Sequence, residues 1–137
     1  MVNFHGSKLA LIVEQSLLVY QRDPNPNIPY PGLWDLPGGG RENNESPEKC
    51  VLRELQEEFA LSLTEDRLIY RRDYYSKERS MFSCFFVACG SLVELDEIVF
   101  GNEGQHWRLM PISEFLAHDA AVPTLKLRLN DYLRNRN

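Results

Sequence analysis

This chain has no long apolar run. A bilayer-crossing helix needs about 20 consecutive apolar residues, and no segment approaches that. No charged-then-apolar leader opens the chain either, so the expectation is a cytoplasmic protein with no membrane partner. Cysteine is scarce and odd in number: Cys50, Cys84 and Cys89 fall in segments expected to be helix or strand. They read as reduced, buried thiols rather than a disulfide framework, and Cys84 and Cys89 lack the partners of a zinc site. Positive charge is in deficit, with 15 Lys and Arg against 20 Asp and Glu and a net charge of −5. That argues against broad nucleic-acid binding through a basic surface. It is also what a metal-dependent enzyme with an acidic site shows without its metals. Internal repeats and low-complexity segments are absent. What remains is 137 residues, 43% hydrophobic and 26% charged, the profile of one folded domain over 1–137 with a real core.

Strand-like patterns open the chain. Lys8–Glu14 and Leu17–Gln21 read as two strands joined by a tight turn around Gln15-Ser16. Asp23–Gly32, DPNPNIPYPG, is a loop by its prolines and asparagines. Trp34–Leu36 is a short strand, and Leu36-Pro37-Gly38-Gly39-Gly40 a loop with almost no side chains. Leu68–Ser76 and Met81–Cys89 are further strands around a charged turn, Ser76–Arg79. Met81–Ala88 is nearly all apolar, as a central strand covered on both faces would be. Gln105–Leu109 is a strand, and Ile112–His118 and Thr124–Arg134 are helices, the second with Leu125, Leu129 and Leu133 in line. A mixed sheet between helices, an α/β/α sandwich, fits this order.

The richest segment runs from Gly39 to Leu61, GGRENNESPEKCVLRELQEEFAL. Ser46 suits an N-cap and Pro47 the first helical position, and Glu48 complements the helix dipole. Val51, Leu52, Leu55 and Phe59 then form a core-facing stripe over Pro47–Phe59. Glu54, Glu57 and Glu58 stand at i, i+3 and i+4 and gather on another face. Like charges so placed oppose the helix by roughly 0.2–0.5 kcal/mol per pair; a bound cation turns that repulsion into coordination. Magnesium suits the oxygen donors, since it bridges carboxylates to substrate phosphates. The glycine loop just before the helix lets backbone approach a ligand closely, and its carbonyls can coordinate a metal.

These residues resemble the signature of the Nudix hydrolases, G-x5-E-x7-R-E-U-x-E-E-x-G-U with U aliphatic. Gly39, Glu45, Arg53, Glu54, Leu55, Glu57, Glu58 and Leu61 fit it. Ala60 stands where the family has a glycine that ends the helix in the left-handed conformation; either alanine takes that conformation at some cost or the helix ends differently. The resemblance implies the Nudix-type sandwich. It implies hydrolysis, with Mg²⁺ or Mn²⁺, of a nucleoside diphosphate linked to another group. Glu54, Glu57 and Glu58 would be metal ligands, joined by the Gly38 carbonyl. Gly39 would lie against the substrate, Arg53 would orient the glutamates, and Glu45 would hold that arrangement.

The chain is also similar to the MutT-like branch. Gly101-Asn102-Glu103-Gly104-Gln105 resembles the loop that delivers a late glutamate as metal ligand or general base, which makes Glu103 the candidate, with Glu94 and Glu97 as competitors. Arg22 stands where that branch places a phosphate-contacting arginine. The asparagine that holds an oxidised guanine there has no counterpart in Ala120-Ala121-Val122-Pro123. The partner implied is a nucleotide or nucleotide derivative, and relatives occur as monomers and homodimers. Tyr30, Trp34 and the pair Tyr74-Tyr75 beside Arg71-Arg72 are candidate base-stacking groups, Trp34 being equally a core residue. His5, His106 and His118 are isolated, and the acidic chemistry needs none of them. Two rival functions belong to the same residues: pyrophosphate removal from RNA 5′ ends, and a Nudix-fold binding module without turnover.

Overall fold

Ten mostly buried residues, Phe4–Val13, form β1, so the strand starts earlier than the expected Lys8. The computed structural model describes residues 3–136; Met1, Val2 and Asn137, the ends of the expected 1–137 unit, lie outside them. β2 (Ser16–Gln21) returns antiparallel from a turn in which Glu14 takes a positive φ of 55°. β3 is Trp34–Asp35 and β4 is Gly38–Gly40. The glycine run was expected to be loop; it is strand because its backbone pairs with β1, Gly40 opposite Gly6 and Gly38 opposite Lys8. Helix α1 (Pro47–Phe59) follows, then a short 3-10 turn at Glu65–Arg67. The hairpin β5 (Leu68–Ser76) and β6 (Met81–Cys89) comes next, followed by a short helix α2 (Leu92–Leu95). β7 (His106–Pro111), α3 (Ile112–Ala117) and α4 (Pro123–Asn135) complete the fold.

The sheet is mixed: β1 and β6 are parallel and the other pairings are antiparallel. The expected sandwich is therefore present. Alternation along the strands feeds two cores. Ala10, Leu17, Phe85 and Val87 pack with α3 and α4 through Phe115, Leu125 and Leu129, and Leu9, Leu11, Phe86 and Ala88 pack with α1 through Val51, Leu55 and Phe59. β6 thus contributes side chains to both cores, as its apolar sequence implied.

One departure from parallel layering positions the site. β7 occupies one whole edge of β2 and β6 one whole edge of β1. On their facing edges β1 and β2 pair only at Ile12–Leu17 and Val13–Ser16 and then part. The wedge between them is filled by β3 against Tyr20-Gln21 and by β4 against Gly6–Lys8. Pro37 lies at the bottom of this fork, its carbonyl accepting from Leu9 N at 2.9 Å.

Two expectations change at the level of side chains. In α4 the third buried residue is Tyr132, not Leu133. At 3.6 residues per turn, i+7 lies within about 20° of i, whereas i+8 is rotated by about 80°. Cys50 and Cys84 are buried thiols but Cys89 is exposed, at the end of β6 where the strand leaves the sheet.

Helix α1 ends as a glycine would end it. Ala60 has φ 58° and ψ 29°, and its N–H donates to the Gln56 carbonyl at 2.9 Å. An L-residue with a Cβ pays about 1 kcal/mol for that conformation. Replacing Ala60 by Gly is expected to stabilise the protein by up to about 1 kcal/mol, read as a raised midpoint in chemical denaturation; an unchanged or lowered midpoint would show that the cap carries no strain.

Candidate active site

The acidic face of α1 meets β4, and two of the strand's three residues, Gly38 and Gly39, have no space for a side chain. A Cβ on Gly39 would overlap the Glu54 carboxylate. Gly38 has φ 136°, and a Cβ there would collide with the Ser7 carbonyl oxygen. The Gly38 N–H donates to Glu58 Oε1 at 2.9 Å, while its carbonyl, expected among the metal's oxygens, accepts from Lys8 Nζ at 3.4 Å.

Arg53 organises the carboxylates. Its Nε and Nη2 donate to Glu45 at 3.0 and 2.8 Å, its Nη1 to Glu57 at 3.0 Å and Glu54 at 3.2 Å, and Nη2 also reaches the Gly40 carbonyl at 2.9 Å. The planar guanidinium is suited to such a fork. Its hydrogen bonds hold the Glu45 carboxyl below the usual carboxylate range. Burial acts the other way on the inner glutamates. It raises Glu54, and it pushes Glu58 up to about 8, the nearby charges of Glu54 and Asp35 adding to it and Lys8 opposing it.

Glu103 joins this group from a distant part of the sequence. Its loop is bound to the last turn of α1: Val99 N donates to the Phe59 carbonyl at 3.1 Å and Gly101 N to the Glu58 carbonyl at 2.8 Å. Those are carbonyls a helix end leaves without intrahelical partners. Phe100 packs on Phe59 and Tyr20, with ring centroids 5.5 and 6.2 Å apart. Glu54, Glu57, Glu58 and Glu103 consequently line one cavity of about 220 Å³ that has no basic residue in its walls. Of the competitors, Glu94 closes a capping box and pairs with Arg67 at 3.0 Å; Glu97 is exposed beyond α2.

The acidic cavity opens into a cleft of about 460 Å³ lined by Lys8, Tyr20, Arg22, Gly38, Gly39, Gly40, Arg41, Glu42, Glu54, Glu57 and Glu103. Arg22 stands on it as expected, oriented by Asp35 at 2.8 Å and by the Pro29 carbonyl at 2.8 Å. Lys8 and Asp35 escaped the sequence reading. Asp35, only 2% exposed, accepts on one oxygen from Lys8 at 3.0 Å, Tyr20 at 3.1 Å and Arg22 at 2.8 Å, and on the other from Leu36 N at 2.7 Å. The only available signals were an aspartate between two apolar residues and a lysine in an apolar strand. Burial alone would raise the Asp35 carboxyl, but Lys8 and Arg22 together hold it below its ordinary value.

The other candidates lie away from the cleft. Trp34 is core, with Arg108 over its ring at 5.5 Å and His106 at its edge. Tyr30 is exposed in the proline-rich loop. Arg71 pairs with Asp73 and Glu48, and the Tyr74 hydroxyl donates to Asp131 at 2.7 Å. His118 Nδ1 accepts from Ala120 N at 2.9 Å. None of these lines the cleft.

Among the described residues no three His, Cys, Asp or Glu side chains form a ready-made cage; Arg53 draws Glu57 and Glu54 to itself instead. The donor set still fits a hard divalent cation, with four carboxylates and Asn102 around one cavity. No helix among the described residues is long and apolar enough to cross a membrane.

The NUDIX domain family model matches residues 5–129, and the chain belongs to that family. It is 38% identical over 66 residues to an 8-oxo-dGTP diphosphatase of Proteus vulgaris, an alignment covering 48% of this chain and 59% of that one. A mutT/nudix family protein from Listeria innocua superposes with a TM-score of 0.75 at 22% identity, covering 98% of this chain and 94% of that chain. A bifunctional NMN adenylyltransferase/ADP ribose pyrophosphatase from Francisella tularensis, complexed with AMP and manganese, superposes with a TM-score of 0.61 at 25% identity over 78% of this chain. The chain spans 59% of the Proteus protein and 33% of the Francisella one.

Asp35→Asn is expected to lower the unfolding free energy by on the order of 3 kcal/mol, because two cations lose their buried counter-charge. The depressed carboxyl gives stability that is present above its unfolded value, about 3.9, and lost as pH falls through the lower folded one. Urea unfolding at a series of pH values checks this: wild-type stability should decline below about pH 4, and the variant should lack that component.

Proposed function

We propose that this protein is a Mg²⁺- or Mn²⁺-dependent pyrophosphohydrolase that cleaves the phosphoanhydride bond of a nucleoside diphosphate linked to another group. The observation that carries this reading is the junction of two cavities. A carboxylate-rich chamber lined by Glu54, Glu57, Glu58 and Glu103 opens into a cleft carrying Lys8, Arg22 and Arg41. Acids that collect divalent cations thus border bases that bind phosphate oxygens. Family membership and the AMP and manganese in the Francisella relative support the same reading.

When bound, the cations would neutralise the diphosphate, polarise a phosphoryl oxygen and activate water. Glu54, Glu57 and Glu58 would hold them. Arg53, anchored on Glu45, holds Glu54 and Glu57, and the Gly38 N–H holds Glu58. Lys8 and Arg22, steadied by Asp35, present positive charge to non-bridging oxygens. Gly38 and Gly39 let Ser7 and Glu54 pack against their backbone and line the cleft along which the substrate would lie. Glu103, exposed at the chamber's mouth, is placed to accept the proton of the attacking water. Phosphoanhydride cleavage needs mainly this positioning and charge stabilisation.

The test is phosphate or pyrophosphate release from nucleoside triphosphates (8-oxo-dGTP among them), dinucleoside polyphosphates, nucleotide sugars and triphosphorylated RNA. Each is run with Mg²⁺, with Mn²⁺ and with chelator. Hydrolysis of one class is expected, abolished by chelator. Glu57→Gln should fold normally and turn over on the order of 10²-fold more slowly. Wild-type turnover in that variant would place the metals elsewhere, RNA as sole substrate would favour the 5′-end activity, and nucleotide binding without hydrolysis of anything would favour a binding module.

A further inference from the structure

β5 is a free edge of the sheet. Its inner side pairs with β6, and among the described residues no strand pairs with its outer side. From Ile69 to Ser76 its backbone makes no hydrogen bond to a loop or turn among the described residues either. An exposed edge of this kind is a template for another strand. It also carries two large apolar side chains in water, Ile69 and Tyr75, each 57% exposed. The charges of the strand lie between them. Arg71 and Asp73 share the α1 side, where Arg71 pairs with Asp73 at 2.9 Å and with Glu48 at 3.0 Å; Arg72 is on the α4 side, 3.7 Å from Asp131. None of these residues lines the diphosphate cleft.

We propose that this edge pairs antiparallel with β5 of a second copy of the chain, about a twofold axis at Arg72. Directly opposed residues in an antiparallel pair are both of the hydrogen-bonded or both of the non-bonded kind. A strand that pairs with itself therefore has its axis on a residue, and few registers exist. An axis on Arg71 sets Arg71 against its own copy, and one on Asp73 sets aspartate against aspartate. An axis on Tyr70 or Tyr74 brings no opposite charges together. The axis on Arg72 sets Arg71 against the partner's Asp73, Tyr70 against the partner's Tyr74 and Ile69 against the partner's Tyr75, each twice. Opposite charges, aromatic pairs and aromatic–β-branched pairs are the cross-strand neighbours that stabilise a sheet. Edge charges commonly keep strangers off; in this order they attract a copy of the same strand. The two Arg72 side chains face each other at the axis, but each has Asp131 of its own chain beside it. The register shift in β5 falls between Leu68 and Tyr70, so the pairs from Tyr70 to Tyr74 lie in regular strand.

The test reads association, independently of turnover. One strand pair is a small interface, so sedimentation equilibrium should show a reversible dimer with a dissociation constant on the order of 10 μM. Asp73→Arg sets arginine against arginine on both sides of the axis and should weaken the dimer about tenfold. Adding Arg71→Asp restores opposite charges in the same register and should recover it. Circular dichroism checks that each variant is folded. A second readout fixes the register whatever the charge variants do. In a Cys89→Ser background, Arg72→Cys should form an intermolecular disulfide under oxidised glutathione, because opposed residues lie about 4.5–5.5 Å apart. Arg71→Cys should crosslink far more slowly, its counterpart lying diagonally about 7–8 Å away. A dimer unaffected by Asp73→Arg, or equal crosslinking at the two positions, would overturn the pairing. A monomer at every concentration would overturn it too, and would leave the edge to an extended strand of another protein.

Discussion

The fork between β1 and β2 is held by one buried carboxylate, and the rest of the site depends on it. Asp35 sits in the wedge and takes Lys8 from β1, Tyr20 from β2 and Arg22 from just beyond β2 on a single oxygen. Two cations around one nearly inaccessible anion leave net positive charge in the fork. That is tolerable because Lys8 and Arg22 reach the cleft and retain partial hydration, with side chains 20% and 21% exposed. The arrangement does two jobs with one set of contacts. It closes the sheet where the strands diverge, and it turns two bases toward the place where α1 presents its acids.

Helix α1 pulls against its own stability. Its apolar side is buried completely at Cys50, Val51, Leu55 and Phe59, and that burial, not the charged face, holds the helix in place. On the other side, Glu54 and Glu58 are drawn toward the interior, where desolvation raises both. Arg53 relieves only part of the repulsion, since its strongest hydrogen bonds go to Glu45 outside the chamber. Unrelieved acidity concentrated beside an open cleft is costly for a fold, a cost that a bound cation would offset; local conflicts of this kind are expected where function constrains the sequence.

Legibility followed the range of the interactions. The α1 stripe, its Ser46 cap and its acidic face were readable because every determinant lies within a few residues. β4 was not, since glycines carry no side-chain alternation and only their pairing with Gly6–Lys8 makes them strand. Lys8 and Asp35 were invisible for the same reason: their link spans 27 residues, and each looks unremarkable alone. Glu103 was legible only through its loop pattern; what brings it to the chamber is the capping of α1's last carbonyls by Val99 and Gly101, which no local pattern records. Ala60 was read correctly as the odd residue of the signature, but whether it would bend the chain as glycine does depended on packing beyond the helix. Leu133 lost its place to Tyr132 through helical geometry that leucine spacing alone overrode.

The ties between the proline-rich loop and the Glu103 loop couple the two segments mechanically. Asp23, Gly104 and Gln105 hold one loop to the other, while Val99 and Gly101 hold the second loop to α1. A group that displaces Asp23 must therefore move Gly104, next to Glu103, or strain the hydrogen bond between them. Discrimination against badly fitting substrates would then appear in turnover as well as in binding, because misplacement of the glutamate is felt at the reacting phosphate. The proline-rich loop is also anchored to its own strand, through Arg22 Nε on the Pro29 carbonyl at 2.8 Å and Gln21 Nε2 on the Gly32 carbonyl at 3.1 Å, so its place beside the chamber is fixed from both sides.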